Sequence, residues 1–289
     1  MRSNPKDKRP FQGLKILQWN AGGLSHEKRT QLLTVCRSFD IDVFVILEAN
    51  FAKETLNSHN FGPYDVRVLP KSRQIASGIL NGVRNNLIST FKTITTLTSY
   101  NGAEIAQLDV WKRKRHYRVY ACYSPSGNSK LDFSLLSFPN KTILCGDFNA
   151  HSKLWKYNDI NSAGKVIMDL LNSAKLELLF KDNDIPTYLH YNGNGTNPDL
   201  TLVTSDIAED SSRQIIYDPG SGHRIIITGI KCTPKEPIKN IVKNRWNYKK
   251  ANWVEFSKDL EETFCSPNDF LIPNESIDKA FDRFQKIIV

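Results

Sequence analysis

The residues with the clearest potential for chemistry follow a short apolar run within positions 142–151, T-I-L-C-G-D-F-N-A-H. The run predicts a buried strand that ends at Gly146. Three polar residues, Asp147, Asn149 and His151, then alternate with apolar ones, so at the period of a strand they share one face. A polar cluster at the end of a core strand is typical of catalytic sites in α/β proteins. Taken alone, the segment is also compatible with an Asp/Asn turn that caps a helix.

Other apolar runs end in polar residues as well. The run L-K-I-L-Q-W precedes Asn20, V-F-V-I-L precedes Glu48, and a strand-like segment ends at Tyr123 before S-P. Two later segments add Asp199 in N-P-D-L and His223 in S-G-H. Each of these residues, taken singly, is also explained as a solvated strand end or a turn. Their order along the chain gives them more weight together.

Strands, hairpins and helices must position these residues. Continuous apolar runs predict buried strands, and apolar residues three or four positions apart predict helices. Because hairpins interrupt the alternation, we predict an α/β fold, a four-layer sandwich of two packed sheets, mostly mixed or antiparallel, flanked by helices. The predicted strands are 14–19, 43–47, 64–69, 75–83, 105–111, 115–123, 142–144, 198–203 and 224–230, and the predicted helices are 27–39, 164–179, 252–264 and 276–289.

The charge balance favours a polyanionic partner. Lys and Arg number 39 against 30 Asp and Glu, a formal net charge of +9. The five cysteines are scattered and odd in number, which argues against a disulfide framework or a zinc knuckle. No secretory signal or membrane-spanning run is evident, so we expect an intracellular protein without a membrane partner.

Composition divides the chain into three predicted parts. Residues 1–12 form a basic, flexible arm, and residues 13–231 form the main domain. Residues 232–289 form a basic, proline-containing linker followed by short helices.

In chain order, the motifs Q-W-N, L-E-A-N, Y-S-P, G-D-F-N-A-H, N-P-D-L and S-G-H resemble the exonuclease–endonuclease–phosphatase superfamily. More closely, they resemble the apurinic/apyrimidinic-endonuclease-like domain of LINE-type (non-LTR), jockey-like retrotransposons. The resemblance covers roughly residues 13–230 and implies a DNA endonuclease that nicks target DNA for element insertion. It also implies that residues 232–289 precede a reverse transcriptase, although the 289 residues contain no polymerase motif.

The resemblance also implies a divalent metal. A phosphodiester hydrolase must polarise the phosphate and stabilise the departing 3′ oxygen, and a cation held by carboxylate oxygens serves both needs. Glu48 is the implied metal ligand, with Asn20 beside it. The implied cofactor is Mg²⁺, with Mn²⁺ as a substitute.

The remaining residues would act on the water and the phosphate. By the same resemblance, Asp147 would position or deprotonate the water, and Asn149 would hold the phosphate or the metal shell. His223 would contact a phosphate oxygen or assist proton transfer, with Asp199 hydrogen-bonded behind it. Tyr123 would donate a hydrogen bond to the phosphate. The choice of base between Asp147 and His223 stays open.

Gly222 departs from the S-D-H motif of the family, whose aspartate helps to bind the metal. Asp218, in the preceding Y-D-P-G turn, is a candidate substitute. We therefore hypothesise weakened but not abolished nicking, which Gly222→Asp would raise at limiting magnesium. His151 is expected to have a structural or substrate-edge role.

Double-stranded DNA is the expected partner, with element RNA reached through a larger polyprotein and with action in the nucleus. Basic residues in two hairpin loops could straddle a phosphate backbone, although each cluster is also compatible with a solvated surface. Two other functions stay open: a catalytically weakened or dead nucleic-acid-binding module, and a repair endonuclease for abasic sites. The clustered basic residues disfavour a phosphatase of small phosphoesters. The predicted DNA-contacting residues are Lys112, Arg113, Lys114, Arg115, Lys71, Arg73 and Arg84.

Overall fold

The computed structural model describes residues 11–52, 59–74, 76–94, 102–126, 131–173, 175–232 and 252–263. The chain separates into two compact units, Met1–Pro234 and Lys235–Val289. The predicted helix 276–289, most of the predicted arm and most of the basic linker lie outside the described residues, so the predicted three-part division stays a prediction. Within the described residues, no helix has the length and apolarity needed to cross a bilayer.

The first unit contains two six-stranded mixed sheets, whose strands are numbered in chain order. In the first sheet β1 and β2 are parallel, and the other neighbours are antiparallel. Its strands, in spatial order, are β13 (Ser211–Ile215), β14 (Ile226–Lys231), β1 (Gly13–Asn20), β2 (Val43–Leu47), β4 (Ile79–Arg84) and β3 (Tyr64–Leu69).

In the second sheet β7 and β8 are parallel, and the other neighbours are antiparallel. Its strands, in spatial order, are β5 (Ile88–Thr93), β6 (Glu104–Lys112), β7 (Arg115–Tyr123), β8 (Thr142–Asp147), β12 (Asp199–Thr204) and β9 (Leu176–Leu178). A separate short hairpin consists of β10 (Tyr188–Leu189) and β11 (Gly195–Thr196).

Three apolar clusters form the three interfaces of a four-layer sandwich. Val45 and Val119 lie in the cluster between the two sheets. Helix α1 (His26–Ser38) packs against the outer face of the first sheet, where Leu32 joins the cluster of Phe44. Helix α2 (Ser162–Ser173) places Ile167 in the cluster on the outer face of the second sheet. The predicted α/β sandwich is therefore confirmed. The remaining helices are α3 (Ser205–Ala208), in the first unit, and α4 (Trp253–Thr263), in the second.

Strand β1 shows why both faces of a central strand are apolar. Ile16 lies in the cluster between the sheets, whereas Leu17 and Trp19 lie in the cluster beneath α1. A strand buried on both faces has a continuous apolar sequence, because successive side chains enter different cores.

Several predicted boundaries were wrong. The helix predicted for 164–179 ends at Ser173, and residues 176–178 pair with β12 as strand β9. Strand β4 begins at Ile79 rather than at residue 75. Strands β5 and β13 were not predicted, because their polar, partly exposed sequences lack a strong apolar pattern.

Candidate active site

One row of residues crosses the second sheet at a single end. Across the β6–β7 pair Glu104 lies opposite Tyr123, across β7–β8 Tyr123 lies beside Asp147, and across β8–β12 Asp147 lies opposite Asp199. Residues in register on neighbouring strands point to the same face. Strand pairing therefore brings together three side chains that the sequence analysis selected separately.

Strand β8 continues through Gly146 to Asp147, so the prediction that Gly146 ends the strand was wrong. A Cβ atom at this position would lie 1.8 Å from the carbonyl oxygen of Cys122 on the neighbouring strand. Only glycine allows this close approach. It permits the parallel β7–β8 pairing that sets Asp147 beside Tyr123.

The first sheet contributes two more polar groups to the same place. Asn20 ends β1 and Glu48 follows β2, and the carboxyl ends of these parallel strands meet at one edge. The Asn20 amide nitrogen donates to Glu48 Oε1 and to Asp147 Oδ2, both at 2.8 Å. Its oxygen accepts from Gly22 N at 3.0 Å, which fixes the orientation of the amide. Asn20 therefore joins carboxylates carried by different sheets.

Gln18 forms a second link between the sheets, directly below Asn20 on the inner face of β1. Its side-chain nitrogen donates to the carbonyl oxygens of Gly146 and Leu200, each at 3.2 Å, and Thr201 Oγ1 donates to its oxygen at 3.0 Å. A buried amide with these partners fixes the spacing of the two sheets, since leaving it unpaired would cost about 1–3 kcal/mol.

His223 lies between two buried aspartates. Its Nδ1 is 3.0 Å from Asp199 Oδ2, and its Nε2 is 3.9 Å from Asp147 Oδ2. Burial alone would lower the pKa of His223, but the charges of Asp199, Asp147 and Glu48 and the hydrogen bond to Asp199 raise it to about 9. The imidazole therefore carries a proton at neutral pH and can donate from both nitrogens.

The environment also raises the pKa of the neighbouring carboxylate and phenol. Burial, together with the charge of Asp199, raises the pKa of Asp147 above that of an ordinary aspartate, although His223 works against the rise. Burial and the charges of Glu48 and Asp147 raise the pKa of Tyr123, whose hydroxyl also bonds Glu48. Tyr123 is therefore a neutral hydrogen-bond donor, and Asp147 is a stronger base than an exposed aspartate.

Asn149 and His151 lie beyond the end of β8. Asn149 has a φ of 44° and donates its amide nitrogen to the Ser124 carbonyl oxygen at 2.9 Å, while its backbone N–H donates to Asp147 Oδ1. His151 stacks on Tyr157 with ring centroids 4.1 Å apart and bonds Asp159. The backbone therefore departs from the alternating geometry of a strand before Asn149. The contacts of His151 with Tyr157 and Asp159 are structural.

The backbone around Gly222 is ordered by Asp218. One carboxylate oxygen of Asp218 accepts from Gly220 N and Ser221 N, and the other accepts from Gly222 N. Gly222 has a φ of 86°, and a Cβ atom there would lie 2.7 Å from the ring of Tyr188. The carboxylate of Asp218 is therefore engaged with its own loop.

The donor set fits a hard divalent cation at the Glu48 side of the cluster. Asp147, Asp199 and His223 offer potential ligand atoms within 4.8 Å of one another. Both ring nitrogens of His223 face carboxylates, so the imidazole is not an available ligand. Glu48 and Asp147 instead present two carboxylate oxygens that bond the same amide nitrogen, and oxygen ligands of this kind suit Mg²⁺ or Ca²⁺.

The basic residues selected from the sequence fall into two groups. Arg73 lies near the site, with its guanidinium carbon 5.4 Å from the centroid of the Tyr123 ring, and Lys71 is in the same loop. The turn 112–115 lies at the far end of β6 and β7, about 26 Å along the nine-residue strand from Tyr123. Arg84 also lies at the end of its sheet opposite Glu48, where it pairs with Asp40.

Sequence reasoning missed Gln18, Glu104 and Ser221. Ser221 Oγ donates to the Asn20 carbonyl oxygen at 2.7 Å and accepts from the Trp19 indole at 3.0 Å, which ties the His223 loop to β1. Gln18 could have been found as a polar residue inside an apolar run. Glu104 could have been found by extending the pairing of the hairpin from its two-residue turn to residue 123.

Comparisons with known proteins agree with this fold. Residues 117–227 match the family model described as "Endonuclease-reverse transcriptase". The solved endonuclease domain of TRAS1, a telomere-specific non-LTR retrotransposon, is similar with a TM-score of 0.56 and 19% identity, covering 76% of this chain and 98% of that one. The chain matches no curated protein.

Two further solved structures share the fold. AP endonuclease LMAP from Leishmania major has a TM-score of 0.61 and 14% identity, over 80% of this chain and 91% of that one. The 3′-5′ exonuclease NExo from Neisseria meningitidis has a TM-score of 0.58 and 15% identity, over 75% of this chain and 100% of that one.

Proposed function

We propose that this chain is a Mg²⁺-dependent DNA endonuclease of the exonuclease–endonuclease–phosphatase superfamily, which nicks target DNA for retrotransposon insertion. The observation that carries the proposal is the convergence of Glu48, Asp147 and His223 at one sheet edge, linked through Asn20 and Asp199. Few arrangements combine oxygen ligands for a cation, a basic carboxylate and a protonated imidazole in one cluster.

Glu48 would hold the cation, with the Asp147 carboxylate beside it, and the cation when bound supplies charge stabilisation at the phosphate. Asn20 fixes the separation of these carboxylates through its amide nitrogen. The amide oxygen of Asn20 faces Gly22 N, so its role as a direct ligand would require the amide to turn over. We therefore propose Asn20 as the residue that sets the distance between Glu48 and Asp147.

Asp147 is the proposed acceptor of the water proton, because His223 already carries a proton at neutral pH. His223 would donate its Nε2 proton to a non-bridging phosphate oxygen, while Asp199 holds the ring through Nδ1. Tyr123 would donate to the phosphate from its neutral hydroxyl. Asn149 would orient the Asp147 carboxylate through its backbone N–H.

Relaxation of supercoiled plasmid tests the proposal. We expect wild-type protein to produce nicked circles with Mg²⁺, to lose this activity with excess EDTA, and to regain it when Mg²⁺ or Mn²⁺ is restored. Glu48→Gln should raise the Mg²⁺ concentration for half-maximal nicking by about 10–100-fold, since the cation loses a charged ligand. Nicking in EDTA equal to that in Mg²⁺ would contradict the metal dependence.

A matched oligonucleotide comparison separates the two nuclease functions. If the protein nicks an intact duplex about as fast as a duplex that contains one abasic site, the target-nicking function is supported. Cleavage confined to the abasic duplex would instead support a repair endonuclease. The match to an endonuclease–reverse transcriptase family favours the first.

Gly222→Asp is expected to lower thermal stability without raising nicking at limiting Mg²⁺, contrary to the expectation from sequence. A left-handed φ costs a non-glycine residue about 1–2 kcal/mol, and the new Cβ would also collide with Tyr188. Gly220→Ala and Gly222→Ala are matched controls, because both have a positive φ but only Gly222 has a neighbour within 4 Å. A gain of nicking in Gly222→Asp would support the weakened-enzyme hypothesis instead.

A further inference from the structure

A third buried carboxylate, after Asp147 and Asp199, lies beside the candidate active site. Glu104 begins β6 next to Tyr123 in the row across the second sheet, and it is 2% exposed. Its oxygens accept from Gly78 N at 2.7 Å, from Ser77 Oγ at 2.5 Å and from Ser72 Oγ at 2.9 Å. These donors all belong to the loop before β4, so Glu104 anchors a loop of the first sheet to the second sheet.

The same carboxylate holds an arginine against the active-site phenol. Arg73 Nη2 lies 3.2 Å from Glu104 Oε1, and the guanidinium carbon is 5.4 Å from the centroid of the Tyr123 ring. The Arg73 side chain is 15% exposed. Its Nε is buried and has no hydrogen-bond partner among the described residues. A guanidinium has five N–H donors, and those that Glu104 does not engage are suited to donate to an anionic ligand.

The charges around the site indicate a role for Arg73 in binding phosphate. The site brings together the carboxylates of Glu48, Asp147 and Asp199, which would repel a phosphate. His223 supplies a positive charge on one side of Asp147, and Arg73, ion-paired with Glu104, places guanidinium N–H donors on the Tyr123 side. A guanidinium forms paired hydrogen bonds to phosphate that an ammonium cannot reproduce.

We propose that Arg73 and Tyr123 form a phosphate subsite for the DNA backbone, and that Glu104 is the positioning residue that holds the guanidinium there. This inference rests on the proposed function and names how the same site receives its polyanionic substrate. The Glu104 contact uses Nη2, so the guanidinium keeps further N–H donors for a ligand.

The test is equilibrium binding of a fluorescent duplex by anisotropy, without divalent cation, over a series of KCl concentrations. Arg73→Gln should weaken binding by about tenfold and lower the slope of log K against log[KCl] by about 0.9, the loss of one phosphate contact. Arg37→Gln, at an exposed arginine in the last turn of α1, removes the same charge and should leave the slope unchanged.

Glu104→Gln gives the sharper result, because it raises the net charge by one. General electrostatics predicts that this variant binds DNA more tightly, whereas loss of Arg73 positioning predicts weaker binding and a lower slope. Tighter binding by Glu104→Gln would overturn the positioning role. An unchanged slope in Arg73→Gln, or an equal fall in Arg37→Gln, would overturn the subsite even if Glu104→Gln fails to fold.

Nicking kinetics separate this inference from the proposed function. With Mg²⁺, Arg73→Gln should raise KM by about tenfold and leave kcat within about twofold, since a contact made in both ground and transition states changes binding alone. If wild-type protein binds DNA with the expected salt slope but does not nick it, the proposed endonuclease function is contradicted and the phosphate subsite is supported. If wild-type protein nicks DNA and the variants bind and nick as wild type does, the phosphate subsite is contradicted and the endonuclease function is supported.

Discussion

Replacing Asp147 by asparagine is expected to lower plasmid nicking by about 10³-fold, because the variant lacks the group that accepts the proton of the attacking water. The same substitution should leave thermal stability unchanged or raise it. Folding raises the pKa of Asp147, so keeping this carboxyl ionised at neutral pH costs folding free energy that a neutral amide does not cost. Nicking rates and thermal unfolding of the same preparation measure the two effects.

Asp159→Asn is the matched control for this prediction. The Asp159 side chain is 66% exposed and bonds His151 at 3.1 Å, outside the cluster of buried carboxylates. Its nicking rate should stay within about twofold of wild type, as expected of a surface substitution. If Asp147→Asn loses activity and stability in parallel, the loss reflects unfolding and the role of Asp147 as the base is contradicted.

Replacing His223 by glutamine should lower kcat for nicking by about 10²-fold, since the phosphate then loses a cationic hydrogen-bond donor. Asp199→Asn should cost about tenfold, because it acts only by holding the imidazole in place and favouring its charged form. His116→Gln is the control, since His116 pairs with Asp109 at the far end of β7. Single-turnover nicking isolates the chemical step.

The double variant of His223 and Asp199 decides whether the pair works as a unit. If Asp199 acts through His223, adding Asp199→Asn to His223→Gln should cause little further loss. Fully additive losses would mean that Asp199 contributes independently, for example to metal binding. The 3.0 Å contact between the two side chains predicts the non-additive result.

Local sequence patterns predicted much of the scaffold. The strands β1, β2, β3 and β7 were predicted within a residue or two, because their apolar runs end at turns. Helix α1 followed from apolar residues at helical spacing. Where a segment was short or polar, as in β9 and β13, pairing with a neighbouring strand determined its conformation instead.

The residues of the candidate site were likewise predicted only in part from the sequence. Motif order was enough to select Asn20, Glu48, Asp147, Asp199 and His223, because each follows or begins a recognisable element. The sequence did not indicate that Asn20 would present its nitrogen rather than its oxygen to the carboxylates, since that depends on Gly22 N. Nor did it separate Arg73, near Tyr123, from the turn 112–115 at the opposite end of the sheet.

The sequence by itself determined the residue types, their order and the strand ends on which they lie, because these are local properties of apolar period and turn chemistry. Tertiary structure alone decided which ends meet: the parallel pairings of β1 with β2 and β7 with β8, and the packing of the two sheets across Gln18. Pairing between distant strands sets distances, burial and therefore charge states. Those long-range contacts make Asp147 a stronger base, keep His223 protonated and hold Arg73 beside Tyr123.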